Sequence, residues 1–237
     1  MSANGSATGG IAAVLFDKDG TLFDFQGTWG PWAFDMLYGL ARDDTHAARL
    51  ASRLRFDLPA RRFAPDSPAV AGTVDDQVRL LLPDLPNWNQ SDLRDHLLRS
   101  AAQAVPVPAA DLSAVVDDLR RRGLRIGVAT NDGVEPARRH LEGAGIAGAV
   151  DWLAGYDSGH GSKPEPGMLL AFARHLGVAP GRVAMVGDSL HDLHAAEAAG
   201  MIPVGVLSGT ATRADLAPHA EVVLDHVGNL LAWLDGR

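Results

Sequence analysis

The chain has 237 residues, 46% of them hydrophobic, and its 29 acidic against 21 basic side chains give a net charge of −8. That length suits one large domain, or one domain with a sizeable insertion, around a real core, and the acidic balance argues against general nucleic-acid binding. No apolar run reaches the length of a membrane span, and the absence of cysteine excludes disulfides and thiolate metal sites and fits a reducing, cytoplasmic location.

The first ten residues, "MSANGSATGG", have no basic end and no apolar stretch, so they read as a disordered tail and not as a signal peptide. The run "IAAVLF" at 11–16 predicts a buried strand that leads straight into Asp17, Lys18, Asp19, Gly20 and Thr21. Helical patterns follow at 31–43, 45–56, 73–82 and 91–104, with a loop rich in Pro and Arg at 58–72. Asp24 is placed to cap the helix after the acidic turn. A strand-to-helix crossover needs no connection of this length. Residues 25–107 are therefore expected to form a separate helical cap domain, inserted into an α/β core made of 11–24 and 108–237.

The C-terminal half alternates strand and helix. Leu112, Val115, Val116 and Leu119 share one helical face, with Asp111 as N-cap and Gly123 as the stop. "LRIGVA" (124–129), a weaker run near 149–153, "RVAMVG" (182–187), "IPVGVL" (202–207) and "EVVL" (221–224) predict buried parallel strands. Helices are expected from about Pro136 to Gly145, around 169–176 ending at Gly177, and from about Asp192 to Gly200. This order predicts a doubly wound parallel sheet.

Ligands of open α/β sheets bind where strands end. The polar residues after successive strands are Asp17 and Asp19, then Thr130 and Asn131, then Lys163, then Asp188 and Asp192. Several carboxylates without cysteine or a histidine cluster suit Mg²⁺, which prefers oxygen ligands. Lys163, the Thr130 hydroxyl and backbone N–H groups near Gly20 and Asn131 supply donors for phosphate oxygens. One carboxylate can then attack phosphorus, and a second, two residues along, can protonate the leaving oxygen and later activate water. His191 and His194 stand three apart beside these acids and read as surface groups of the following helix. Trp29 and Trp32 either roof the site or pack cap against core. Arg61 and Arg62, in the loop between predicted cap helices, either clamp a second anionic group of the substrate or are solvated.

Together, "DKDGT" (17–21), "VATN" (128–131), "SKPEP" (162–166) and "GDSLHD" (187–192) resemble the four motifs of the haloacid dehalogenase superfamily, in order. The insertion after the first motif resembles the helical cap of its phosphoglycolate-phosphatase-like branch. The resemblance implies Asp17 as nucleophile and Asp19 as general acid/base, with Thr130 and Lys163 binding the transferring group. It implies Mg²⁺ held by Asp17, the backbone carbonyl of Asp19, and Asp188, with Asp192 supporting from behind or through water. An aspartate at 19 points to phosphate esters and away from dehalogenation. The implied activity is hydrolysis of a small soluble phosphorylated metabolite, phosphoglycolate or a sugar phosphate, by a monomer or homodimer that needs neither nucleic acid nor membrane. A phosphomutase would share the first step. A phospho-aspartate signalling module fits less well, because receiver domains are far shorter, carry no cap and place their aspartate after a middle strand.

Overall fold

The computed structural model describes residues 10–70 and 72–237, so all but the last residue of the expected tail lie outside the described residues. The chain starts with strand β1 (Ala13–Phe16) and then builds a helical unit. That unit comprises α1 (Phe25–Leu40), α2 (Asp44–Arg53), the short strands β2 (Phe56–Asp57) and β3 (Arg62–Phe63), α3 (Val74–Leu81) and α4 (Gln90–Ala101). The chain returns through α5 (Leu112–Arg121), β4 (Arg125–Ala129), α6 (Val134–Gly143), β5 (Trp152–Ala154), α7 (Gly167–Leu176) and β6 (Val183–Gly187). It ends with α8 (Leu190–Ala199), β7 (Ile202–Val206), α9 (Arg213–Leu216), β8 (Val222–Leu224) and α10 (Leu230–Asp235).

Six strands form one parallel sheet in the order β5-β4-β1-β6-β7-β8. Strand β1 lies in the middle because all four of its side chains are apolar and fully buried, and alternate residues serve opposite faces. Val14 and Phe16 pack with Leu112, Val115 and Leu119 of α5, whereas Ala13 and Leu15 pack with Leu169 and Phe172 of α7. Gly127 in β4 leaves room for the Phe172 ring, which a Cβ there would strike. The chain runs from β1 to β4 and β5, then crosses back to β6 on the other side, so the strand order reverses beside β1. The register Val128–Phe16–Val186 brings three strand ends level at that point.

The helical unit has an apolar cluster of its own, centred on Trp29, Leu37, Leu50, Phe63, Val78 and Leu97. Two segments connect it to the sheet, and they lie side by side. Asp24 N–H donates to the Val107 carbonyl at 2.7 Å, and Ala109 N–H donates to the Leu22 carbonyl at 2.9 Å.

Several bounds differ from the sequence expectation. Helix α1 begins at Phe25 and not at 31, because Asp24 caps it by accepting from Gly27 N–H at 2.6 Å, and Pro31 is accommodated inside the helix. Helix α2 stops at Arg53, short of the expected 56, because Phe56 and Asp57 pair antiparallel with Phe63 and Arg62. That hairpin also occupies part of the expected 58–72 loop. Helix α8 begins at Leu190, two residues before Asp192, since Ser189 caps it and the Asp192 side chain reaches back to Ser189 N–H at 3.1 Å. No helix among the described residues is long and apolar enough to cross a membrane.

Candidate active site

The sheet ends deliver four charged groups to one place. Asp17 continues the β1 ladder, its N–H donating to the Val186 carbonyl at 2.8 Å, so it sits at the end of β1 beside β6. Asp188 follows β6 directly, and the Ser189–Asp192 cap turns Asp192 back toward the same point. Lys163 arrives from the loop before α7. Its Nζ lies 2.5 Å from Asp17 Oδ1 and 2.6 Å from Asp192 Oδ1, with all three side chains buried. The other Asp192 oxygen accepts from Ser189 Oγ at 2.7 Å. Lysine beside proline in a loop is usually solvated; here it is a buried counter-charge.

Two glycines make room for Asp188. Gly20 has φ +85°, which suits glycine, and a Cβ on either Gly20 or Gly209 would collide with the Asp188 carboxylate. The Gly20 N–H is not available to a phosphate, contrary to the sequence expectation, because it donates to the Phe23 carbonyl at 2.7 Å within its own turn. Thr130 is buried, and its hydroxyl oxygen accepts from Asp132 N–H at 3.0 Å, which leaves its own proton to donate. Asn131 acts through its side chain. Its Nδ2 donates to the Lys163 carbonyl at 3.0 Å, and its Oδ1 accepts from Lys163 N–H at 2.8 Å, fixing the lysine's backbone.

Burial dominates the electrostatics. It pushes the Asp17 carboxyl up to about 7; the Lys163 ammonium pulls it back, and the Asp192 and Asp19 carboxylates add to the rise. Asp188 is raised well above the ordinary carboxylate range, first by burial and then by the charges of Asp17 and Asp192. Burial alone would lower Lys163, but the two carboxylates against it outweigh that and raise it. Asp17, Asp188 and Asp192 each offer a carboxylate oxygen, and these oxygens lie within 4.8 Å of one another. A buried all-oxygen cluster with too few positive charges fits a small hard dication.

Asp19 lines the same cavity as Asp17 but has different partners. Its Oδ2 lies 2.8 Å from Lys18 Nζ, and its Oδ1 accepts from the Trp29 indole N–H of the helical unit at 2.7 Å. Three residues that the sequence analysis did not single out stand behind it. Lys18 is fully buried and also pairs with Asp132 at 3.0 Å. The His140 Nδ1 lies 3.0 Å from Lys18 Nζ, and its Nε2 lies 3.1 Å from the Ala101 carbonyl. An ammonium donating to Nδ1 leaves the proton on Nε2, so neutral His140 links the acidic turn to the end of α4. Burial and then the Lys18 charge hold it down at about 4.

The remaining expected residues divide. Trp29 and Trp32 both line the cavity above Asp17, and Trp32 donates to Ser100 Oγ at 3.2 Å. His191 is exposed at the rim, while His194 stacks edge-on against His219 and does not line the cavity. Arg61 and Arg62 are not in the site. Both are exposed and absent from the cavity wall; the hairpin turns them outward, and the Arg61 guanidinium lies 4.0 Å over the Phe34 ring.

A family model for haloacid dehalogenase-like hydrolases matches residues 11–200 of this chain. The chain belongs to that family. This hydrolase is 34% identical over 236 residues to the phosphoglycolate phosphatase of Rhodospirillum rubrum, a match that covers 94% of this chain and 90% of that protein. It is 28% identical over 235 residues to the N-acetylmuramic acid 6-phosphate phosphatase of Pseudomonas aeruginosa, covering 95% of each. Among solved structures, CbbY from Rhodobacter sphaeroides in complex with phosphate matches with a TM-score of 0.71 and 22% identity, over 95% of this chain and 99% of that one. At that identity the likeness shows a shared fold.

Proposed function

We propose that this hydrolase is a Mg²⁺-dependent phosphatase that cleaves a small phosphate monoester through a covalent phosphate on Asp17. The observation that carries the reading is the buried Asp17–Lys163–Asp192 array with Asp188 beside it, at the level strand ends of a haloacid dehalogenase-like hydrolase. The names of the two similar phosphatases support the reaction class.

Asp17 attacks phosphorus with a carboxylate oxygen, and the bond from phosphorus to the alcohol oxygen breaks. Asp19 gives its proton to that departing oxygen. A water then attacks the phosphorus of the aspartyl phosphate, Asp19 takes a proton from it, and inorganic phosphate leaves with Asp17 restored. The Thr130 hydroxyl and the Lys163 ammonium bind the transferring oxygens, and Asn131 keeps the lysine in place. Asp17, the Asp19 carbonyl and Asp188 would hold Mg²⁺ with Asp192 behind them, and the ion would supply positive charge to the phosphoryl oxygens and to the crowded carboxylates. The helical unit over residues 25–107 would serve as the cap, keeping bulk water out during the first step.

The test is phosphate release by purified Asp17→Asn protein with Mg²⁺. We expect a loss of roughly a thousandfold or more with the circular dichroism spectrum unchanged. Activity within about tenfold of the parent would remove Asp17 as nucleophile. In the parent, phosphate should appear in step with substrate loss; an isomeric phosphate ester without free phosphate would make the protein a mutase.

A further inference from the structure

The cavity above Asp17 has two unlike walls. The sheet side is acidic, with Asp19 and Asp132 standing beside Asp17, Asp188 and Asp192. The helical side is apolar, built from Trp29, Trp32, Phe63, Val74, Leu97 and Leu98. Among the described residues that line it, Lys163 is the one lysine or arginine, and Asp17 and Asp192 already share its ammonium. His191 stands exposed at the rim, away from the helical wall. Arg61 and Arg62 of the helical unit are exposed and off the cavity wall. Gln77 is the polar side chain on the helical side whose amide makes no hydrogen bond among the described residues.

A phosphate ester seated at Asp17 must direct its alcohol portion toward this apolar wall. A second anionic group there would lose its hydration and meet no lysine or arginine on that wall to pair with. A body with many hydroxyl groups would strand most of them against aromatic and aliphatic side chains. Apolar surface, in contrast, gains by leaving water against the two indoles. We propose that the substrate carries its phosphate on an uncharged, largely apolar alcohol, and that the pocket discriminates against a second anionic group. The proposal rests on the phosphatase reading above and narrows its substrate class.

The experiment compares kcat/KM of the purified full-length protein, with Mg²⁺, on benzyl phosphate, 2-phosphoglycolate and glucose 6-phosphate. All three expel an aliphatic alcohol, so differences report the pocket and not the leaving group. Benzyl phosphate is expected to exceed both others by about tenfold or more. Gln77→Arg, which adds a cation to the helical wall, is expected to shrink the gap to 2-phosphoglycolate by about tenfold, with the rate on benzyl phosphate falling less. A parent preference for 2-phosphoglycolate or glucose 6-phosphate, or a parent that treats all three alike, would overturn the apolar assignment and leave the phosphatase reading standing. No phosphate release from any of these or from 4-nitrophenyl phosphate would overturn both.

Discussion

Lys163 offers one positive charge to two buried carboxylates, and Asp188 stands close by with no ion pair of its own among the described residues. Such a cluster gains from any ligand that brings further positive charge, and a ligand that binds only the folded chain raises its stability by mass action. Adding millimolar Mg²⁺ should therefore raise the melting temperature of the chelator-treated protein, and chelation should abolish phosphate release until Mg²⁺ is returned. In Asp188→Asn the thermal shift should disappear; a shift of the same size in that variant would place the ion elsewhere. His140 supports the same turn from behind, and its charge state can be read through stability. Folded His140 stays neutral down to about 4, whereas an ordinary histidine takes up its proton near 6.5. The unfolded chain thus binds the extra proton in that interval. Stability from this residue is complete above 6.5 and is lost as the pH falls toward 4. His140→Gln keeps an acceptor for Lys18 and a donor for Ala101 but does not titrate. Between pH 7 and pH 5 the parent should lose about 2 kcal/mol more unfolding free energy than this variant, measured by urea denaturation. Equal losses would mean that His140 already carries its proton in the fold.

At the scale of elements, what the sequence made legible follows the strength of local signals. The buried strands ran as unbroken apolar blocks, so β1, β4, β6 and β7 appear within about two residues of expectation. Asp17, Thr130, Lys163 and Asp188 could be placed because each follows such a block or sits in a distinctive motif. The β2–β3 hairpin could not, since two-residue strands carry no periodicity and Phe56 reads equally well as the end of a helix. Lys18 and His140 were hidden for a different reason. Their roles depend on contacts 122 residues apart in sequence, and nothing local marks a lysine as fully buried or a helix histidine as its acceptor. For Arg61 and Arg62 the sequence left two readings open, a clamp on a second anionic group or a solvated pair, and their exposed side chains off the cavity wall accord with the second. With Arg61 at φ +52° and its guanidinium over Phe34, neither side chain reaches the cavity. The Arg61→Ala/Arg62→Ala protein should keep kcat/KM within about twofold on any phosphate ester it hydrolyses. A tenfold loss confined to anionic esters would restore these arginines to the substrate's path.

For the whole molecule, the question is how substrate reaches Asp17 beneath the helical unit. Trp29 ties that unit to the acidic turn through its bond to Asp19 at 2.7 Å and its place beside Lys18 and His140, the Lys18–His140–Ala101 chain adds a second tie, and Arg94 donates to Tyr156 at 2.7 Å. These are links between single side chains, unlike the extended apolar clusters that hold each body together. The paired connecting segments at 22–24 and 107–109 are where separation would concentrate, because they alone carry the chain between the bodies. If turnover requires the unit to lift, a covalent tie across the interface must stop it. Asp95 of α4 and Glu135 of α6 are both exposed and line one surface cleft between the two bodies, outside the active-site cavity. The chain has no cysteine of its own, so the pair Asp95→Cys and Glu135→Cys would provide its only thiols. Bridging them with a short bis-maleimide should reduce kcat by about tenfold or more, while each single variant treated alike stays near the parent. A bridged double variant with full activity would show that substrate enters and phosphate leaves without the two bodies parting, and the cleft rim beside His191 would then be the route.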